Sequence, residues 1–234
     1  MDENLATVPL WISELLRKYP SVQESSQRLA HRGVRDADQV KRLALDSSAK
    51  NDTRLDSITL FAASKEGDLD TLRLLLESRD DFLLIETLKR IREFGTEWAM
   101  PELISRVKMA SDPSARAVFA WALAGYPDSG DAQDALLELI KREPDVTVRN
   151  HAIESLGEFR SAQVVNALLS VLEHGSVNER FWSLYSLGTI GDTRAVEAIK
   201  RCLQDETKIP DFGTISTEAK RALEEISRRA QDEA

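Results

Sequence analysis

Cysteine is almost missing from this sequence: Cys202 is the single one in 234 residues. A lone cysteine closes no internal disulfide and supplies no cysteine-based zinc site. Glycine (10) and proline (7) are also sparse, which argues against a loop-rich β fold and against disorder. No run approaches the roughly 18 unbroken apolar residues that a membrane helix requires. The opening MDENLATVPLWISELLRKYP lacks the basic start and apolar stretch of a secretory signal. These absences lead us to expect a cytoplasmic protein. Positive charge is short too: 31 Lys and Arg face 40 Asp and Glu, for a net charge of −9. That balance disfavours phosphate backbones, so neither nucleic acid nor membrane is expected as a partner.

Chemistry-bearing motifs are absent as well. The sequence has no Gly-x-Ser-x-Gly, no P-loop and no Gly-x-Gly-x-x-Gly. Its histidines, His31, His151 and His174, are scattered, and no two are spaced i, i+4 to share a helix face. A metal site needs such convergence, so no metal, cofactor or catalytic residue is expected. Cys202 lies on an apolar stripe beside Leu203 and reads as a small hydrophobe.

What the sequence does contain is a repeat. RNHAIESLG (149–157) matches RFWSLYSLG (180–188), and Arg116 to Leu123 keeps the same spacing. The terminal apolar position recurs at Ala63, Ile91, Leu123, Leu156, Leu187 and Ile226, in steps of 28 to 39 residues. The longest step holds an insertion, DETKIPDFGTIS (205–216). A second apolar run follows several anchors, as in Leu136/Leu139/Ile140, Val164/Val165/Leu168/Leu172 and Ala195/Val196/Ile199/Leu203. The i, i+3, i+4, i+7 spacing predicts helices with one buried face. Gly157 and Gly188 punctuate C-termini, and Asp112-Pro113 and Asp192 punctuate N-termini. With no alternating strand pattern, the expected fold is all-α. It is a right-handed α-solenoid of about five to six helix pairs, each pair burying its faces only by stacking on the next. The repeats are expected over 36–230 as one continuous domain, with capping helices at Val8–Tyr19 and Ser21–Ala30 within 1–35.

The pattern Asp-x-x-x-Arg-x-x-Ala/Phe-x-x-x-Leu-(Gly), a turn, then Ala-x-x-x-Leu resembles the short HEAT repeats of the phycobilisome-lyase type. The resemblance is clearest over 112–203 and weaker over 53–110 and 215–228. It implies that the Arg-bearing helices line the concave face of the stack and the following helices the convex one. A related branch, the deoxyhypusine hydroxylases, holds two irons with His-Glu pairs. This sequence has no His-Glu dipeptide, and His151 is followed by Ala152.

Arg116, Arg149 and Arg180 occupy equivalent positions, with Asp112 and Asp145 four residues before two of them. They read as a ladder tying successive turns together rather than as an anion site. The acidic pairs Glu224–Glu225 and Asp232–Glu233 read as solvated surface. Positions two, five and six before each anchor point 110° to 150° away from the buried face, at 100° per residue. Before Leu156 those places hold Glu154, His151 and Asn150; before Leu187 they hold Tyr185, Trp182 and Phe181. Trp121 and Phe61 stand at the place of Tyr185. Lys89, Lys220 and Arg221 share this face with Glu86, Glu154 and Glu224, too mixed for a nucleic-acid groove. Large rings where a polar residue would serve suggest binding anchors. The expected contact residues are Trp121, Trp182, Tyr185, Phe181, Phe61 and His151. The expected function is a non-catalytic scaffold binding another protein, one with a basic surface. The alternative, implied by the resemblance, is an assembly factor or lyase-type subunit acting on a tetrapyrrole-bearing client.

Overall fold

The computed structural model describes residues 20–64, 68–78 and 80–232. Its helices gather into two compact units, the first ending at Glu102 and the second running from Leu103 to the C-terminus. The expected helix Val8–Tyr19 lies outside the described residues.

In the first unit, α1 (Pro20–His31), α3 (Asn51–Ala62) and α5 (Asp81–Phe94) stack as one row, with α2 (Ala37–Leu45) and α4 (Leu69–Leu76) as their partners. The segment expected to act as a cap, Ser21–Ala30, lies within α1, which packs on α3. An ionic cluster fixes it in place. Asp56 of α3 is buried, and it accepts hydrogen bonds from Ser25 (2.9 Å), Arg28 Nη2 (2.6 Å) and Arg32 Nη1 (3.2 Å). A buried carboxylate is tolerated only when its oxygens are filled this way. Asp36, Asp68 and Asp80 cap α2, α4 and α5 through their side chains, satisfying amides that the first turn leaves open.

The chain passes from one unit to the other within α6 (Met100–Met109). The second unit repeats the plan with less variation. The first helices are α7 (Pro113–Ala122), α9 (Val146–Leu156), α11 (Val177–Ile190) and α13 (Ile215–Asp232). The second helices are α8 (Gly130–Arg142), α10 (Ala162–His174) and the short α12 (Val196–Lys200). Each first helix packs on the next: α7 on α9, α9 on α11, α11 on α13. All six anchors read from the sequence are buried. The fold class is the expected all-α, HEAT-like solenoid.

Two local details differ from the expectation. Gly188 does not end its helix; α11 continues to Ile190, and Gly191 closes it in the left-handed conformation at φ 81°. Gly188 instead marks a close approach, since a Cβ there would lie 2.8 Å from the Ala222 Cα of α13. The insertion, in a sequence read as having no strand pattern, forms a small antiparallel hairpin, β1 (Lys208–Ile209) with β2 (Gly213–Thr214). The strands are too short for any periodicity to announce them, and the turn holds Asp211 at φ 66°.

Leu156 and Leu187 are fully buried at the centre of this second row. Leu156→Ala and Leu187→Ala should each destabilise the chain by about 2–5 kcal/mol in chemical denaturation. A neutral result for either would mean that the buried face is assigned to the wrong side of the helix.

Candidate partner-binding face

The repeated arginines are consumed internally. Arg116 grips Glu143 with two bonds, Nη2 at 2.8 Å and Nε at 3.1 Å, while its Nη1 donates to the carbonyls of Ala110 and Ser111. Arg149 does the same one repeat on, with Nε 2.6 Å from Glu179 and Nη1 on the carbonyls of Glu143 and Pro144. Arg180 reaches Asp205 at 2.7 Å. The first unit has its own rung, Arg54 to Asp80 at 2.6 Å. The aspartates four residues before Arg116 and Arg149 are not their partners; Asp112 and Asp145 cap the first turns of α7 and α9. Arg116 and Arg149 thus each clamp the turn entering their own helix to a carboxylate about one repeat later.

These contacts bias the carboxylates. Glu143 sits below its usual range because Arg116 donates to it. Burial pushes Glu179 up, but hydrogen bonds from Ser176 and Arg149 outweigh it and the carboxyl ends low. Asp205 is lowered by the Thr207 hydroxyl and amide and by Arg180.

The candidate contact residues separate into two groups. Phe61 and Phe181 are core residues, not exposed anchors. Phe61 belongs to α3, whose second half, Asp56–Ala62, is buried residue by residue because α1, α2 and α5 all pack on that helix. It meets Trp98 edge-to-face at 5.4 Å, and the Trp98 indole donates to the Ser64 carbonyl. Phe181 is covered by the hairpin. Trp121, His151, Trp182 and Tyr185 are half-buried on the first helices of the second unit.

Trp182 is the hub of an aromatic cluster. Its ring centroid lies 5.5 Å from Phe181, 5.7 Å from Tyr185 and 5.4 Å from Phe212, at interplanar angles of 90°, 76° and 69°. Such edge-to-face pairs add about 0.5–1.5 kcal/mol each beyond buried area. Phe212, at the hairpin tip, is 54% exposed. Sequence reasoning missed it, because it stands outside the repeat register. Beyond Tyr185, Arg221 of α13 places its guanidinium carbon 5.2 Å from the ring centroid, a cation–π contact. Arg221 also lies 3.5 Å from Glu218, whose carboxyl is pushed up by burial and drawn back by Arg221.

Among the described residues, no group of three or more His, Cys, Asp or Glu gathers where it could hold a metal ion. No described helix is long and apolar enough to cross a membrane.

HEAT repeats match residues 133–210, which run from α8 to the hairpin. Among curated proteins, none matches the sequence. Three solved structures illustrate the likeness. Human deoxyhypusine hydroxylase is 14% identical, with 82% of this chain and 74% of that one aligned at a TM-score of 0.46. An engineered protein is 18% identical over 83% and 98% at 0.44. The complex of CpcE and CpcF of phycocyanin lyase from Nostoc sp. PCC7120 is 18% identical over 94% and 93% at 0.41.

The ladder carries a pH signature. The lowered carboxyls stabilise the fold fully above their unfolded pKa, near 4.5 for Glu143 and Glu179. That contribution disappears as pH falls through the folded values. Glu143→Gln should cost about 1.5–3 kcal/mol at pH 7, the range for hydrogen bonds to charged groups. The gap between variant and wild type should close on acidification when both are unfolded with urea. A gap independent of pH would show that the Arg116 rung is not ionic in its contribution.

Proposed function

We propose that this HEAT-like repeat scaffold is a non-catalytic, cytoplasmic adaptor that binds another protein through the first-helix face of its second unit. The observation that supports this reading is the Trp182–Tyr185–Phe212 cluster. Its rings are braced against one another, so little side-chain freedom remains to be lost on binding, and Phe212 is left largely exposed. Tryptophan and tyrosine held in this half-buried state are the side chains that dominate interface energetics. The net charge of −9 favours encounter with a basic surface and sets its salt dependence. The guanidinium rows that would attract an anionic partner are already spent on the ladder.

The test compares full-length wild type with Phe212→Ser and Trp182→Ser as bait in an extract of the source cell. Phe212→Ser gives up its ring contacts with Phe181 and Trp182 and should cost about 1–3 kcal/mol, so binding is compared at a temperature where thermal melts show both variants folded. Each variant should weaken the proteins retained by wild type by about 2 kcal/mol, roughly thirtyfold. Raising the salt should weaken wild-type binding further. Wild type and both variants retaining the same proteins equally would rule out this face.

A further inference from the structure

At the C-terminal ends of the first helices, a cleft of about 340 Å³ opens in the second unit. Asp128 lines it from the turn between α7 and α8, and Glu158 and Arg160 from the turn between α9 and α10. Thr189 in the last turn of α11 and Arg229 in the last turn of α13 complete its charged and polar walls. None of the clustered rings lines it, and the ladder arginines stand at the other ends of these helices. Its volume falls at the small end of the roughly 300–1,000 Å³ typical of ligand sites.

The charges on these walls do not pair with one another. Elsewhere in the unit Arg116, Arg149, Arg180, Arg194, Arg221 and Arg228 each hold a carboxylate. Arg160, Arg229 and Asp128 form no ion pair, with each other or with any other described residue, whereas Glu158 has a contact of its own. Glu225 and Asp232, within helical reach of Arg229, are taken by Arg228 at 2.7 and 3.4 Å. Arg229 is also held in place: its stem crosses Gly191, where a Cβ would lie 2.5 Å from the arginine Cδ. Its Nε is enclosed without a partner, so the donors on offer are the two terminal nitrogens. Arg160 and Asp128 are exposed. Two whole guanidinium charges outweigh the roughly half-unit negative charges that the ends of α9 and α11 turn toward this edge.

We infer that this cleft binds a small zwitterion of the amino-acid class, with its carboxylate at Arg160 and Arg229 and its ammonium toward Asp128. Guanidinium forks match a carboxylate through paired N–H bonds, and the fixed Arg229 loses little freedom on binding. A plain anion fits less well, because Asp128 and Glu158 share the walls; a plain cation would meet two guanidiniums. Opposite charges that line one cleft without meeting leave a gap, and a molecule carrying an acid beside an amine spans it and neutralises both sides. The Thr189 hydroxyl donates to the Tyr185 carbonyl at 3.0 Å, which leaves its oxygen free to accept from the ligand. The site is separate from the aromatic docking face and does not depend on it.

The probe is L-alanine, titrated into the 15N-labelled full-length protein; N-acetyl-L-alanine, without the ammonium, and L-alaninamide, without the carboxylate, are the controls. Saturable shifts are expected at the Gly157 and Thr189 backbone amides, with a Kd on the order of 1 mM. Both controls, and L-alanine with the Arg160→Gln variant, should bind at least about tenfold more weakly. Asp128→Asn should weaken L-alanine and leave N-acetyl-L-alanine unchanged. Arg160 and Asp128 are exposed, so both variants should melt like wild type. The inference is overturned if L-alanine moves neither amide, or if Arg160→Gln binds it like wild type. N-acetyl-L-alanine binding as tightly as L-alanine would show a plain anion site, and L-alaninamide doing so a plain cation site; either overturns it too.

Discussion

A helix pair of this length cannot cover its own apolar faces, so everything in the second unit depends on how firmly one pair is held to the next. Hydrophobic contact supplies the attraction but slides easily; the arginine rungs supply the register. Arg116 to Glu143 and Arg149 to Glu179 are two-sided clamps, each joining backbone carbonyls of one turn to a carboxylate of the following repeat. Glu179 is itself fixed by the capping box with Ser176. Helix start and inter-repeat spacing are therefore set by the same atoms. Once that spacing is fixed, positions counted back from Leu156 and Leu187 fall beside one another, and a face can be composed from residues some thirty apart in sequence.

The face so composed is uneven. α11 offers rings, α9 offers the half-buried His151 beside Glu154, and α13 returns a guanidinium to Tyr185. Phe181, which the helix register points away from the core, is buried because Phe212 folds back over it at 5.5 Å. Rigidity and exposure are thereby divided: Phe181 and Trp182 are braced from below, and Phe212 carries the open surface.

The anchors were legible because burial on one side of a helix leaves a period in the sequence, and all six are buried. Arginine ladders were legible for the same reason, repeating in step with the core. The angular argument failed at Phe61, where the second half of α3 is enclosed all round and has no outward side to read. It failed at Gly188 because a glycine near a helix end can serve either a terminus or a neighbour, and only the position of Ala222 decides. Phe212 left no signal at all. Its place depends on a turn through Asp211 and on the ring beneath it, neither of which has a period.

The hairpin between α12 and α13 also changes what kind of object this surface is. Lengthening a closed loop is thermodynamically mild, about 0.6 kcal/mol for each doubling of its length. Ahead of the hairpin Asp205 is held by Arg180, and beyond it Ala222 is packed against Gly188, so both ends are fixed to α11 whatever lies between. The segment 206–214 is thus a graft point. Its exposed residues could be exchanged or extended so long as an apolar side chain still covers Phe181 and Ile209 stays buried, so partner preference could diverge by loop replacement, much as a tool handle accepts different heads.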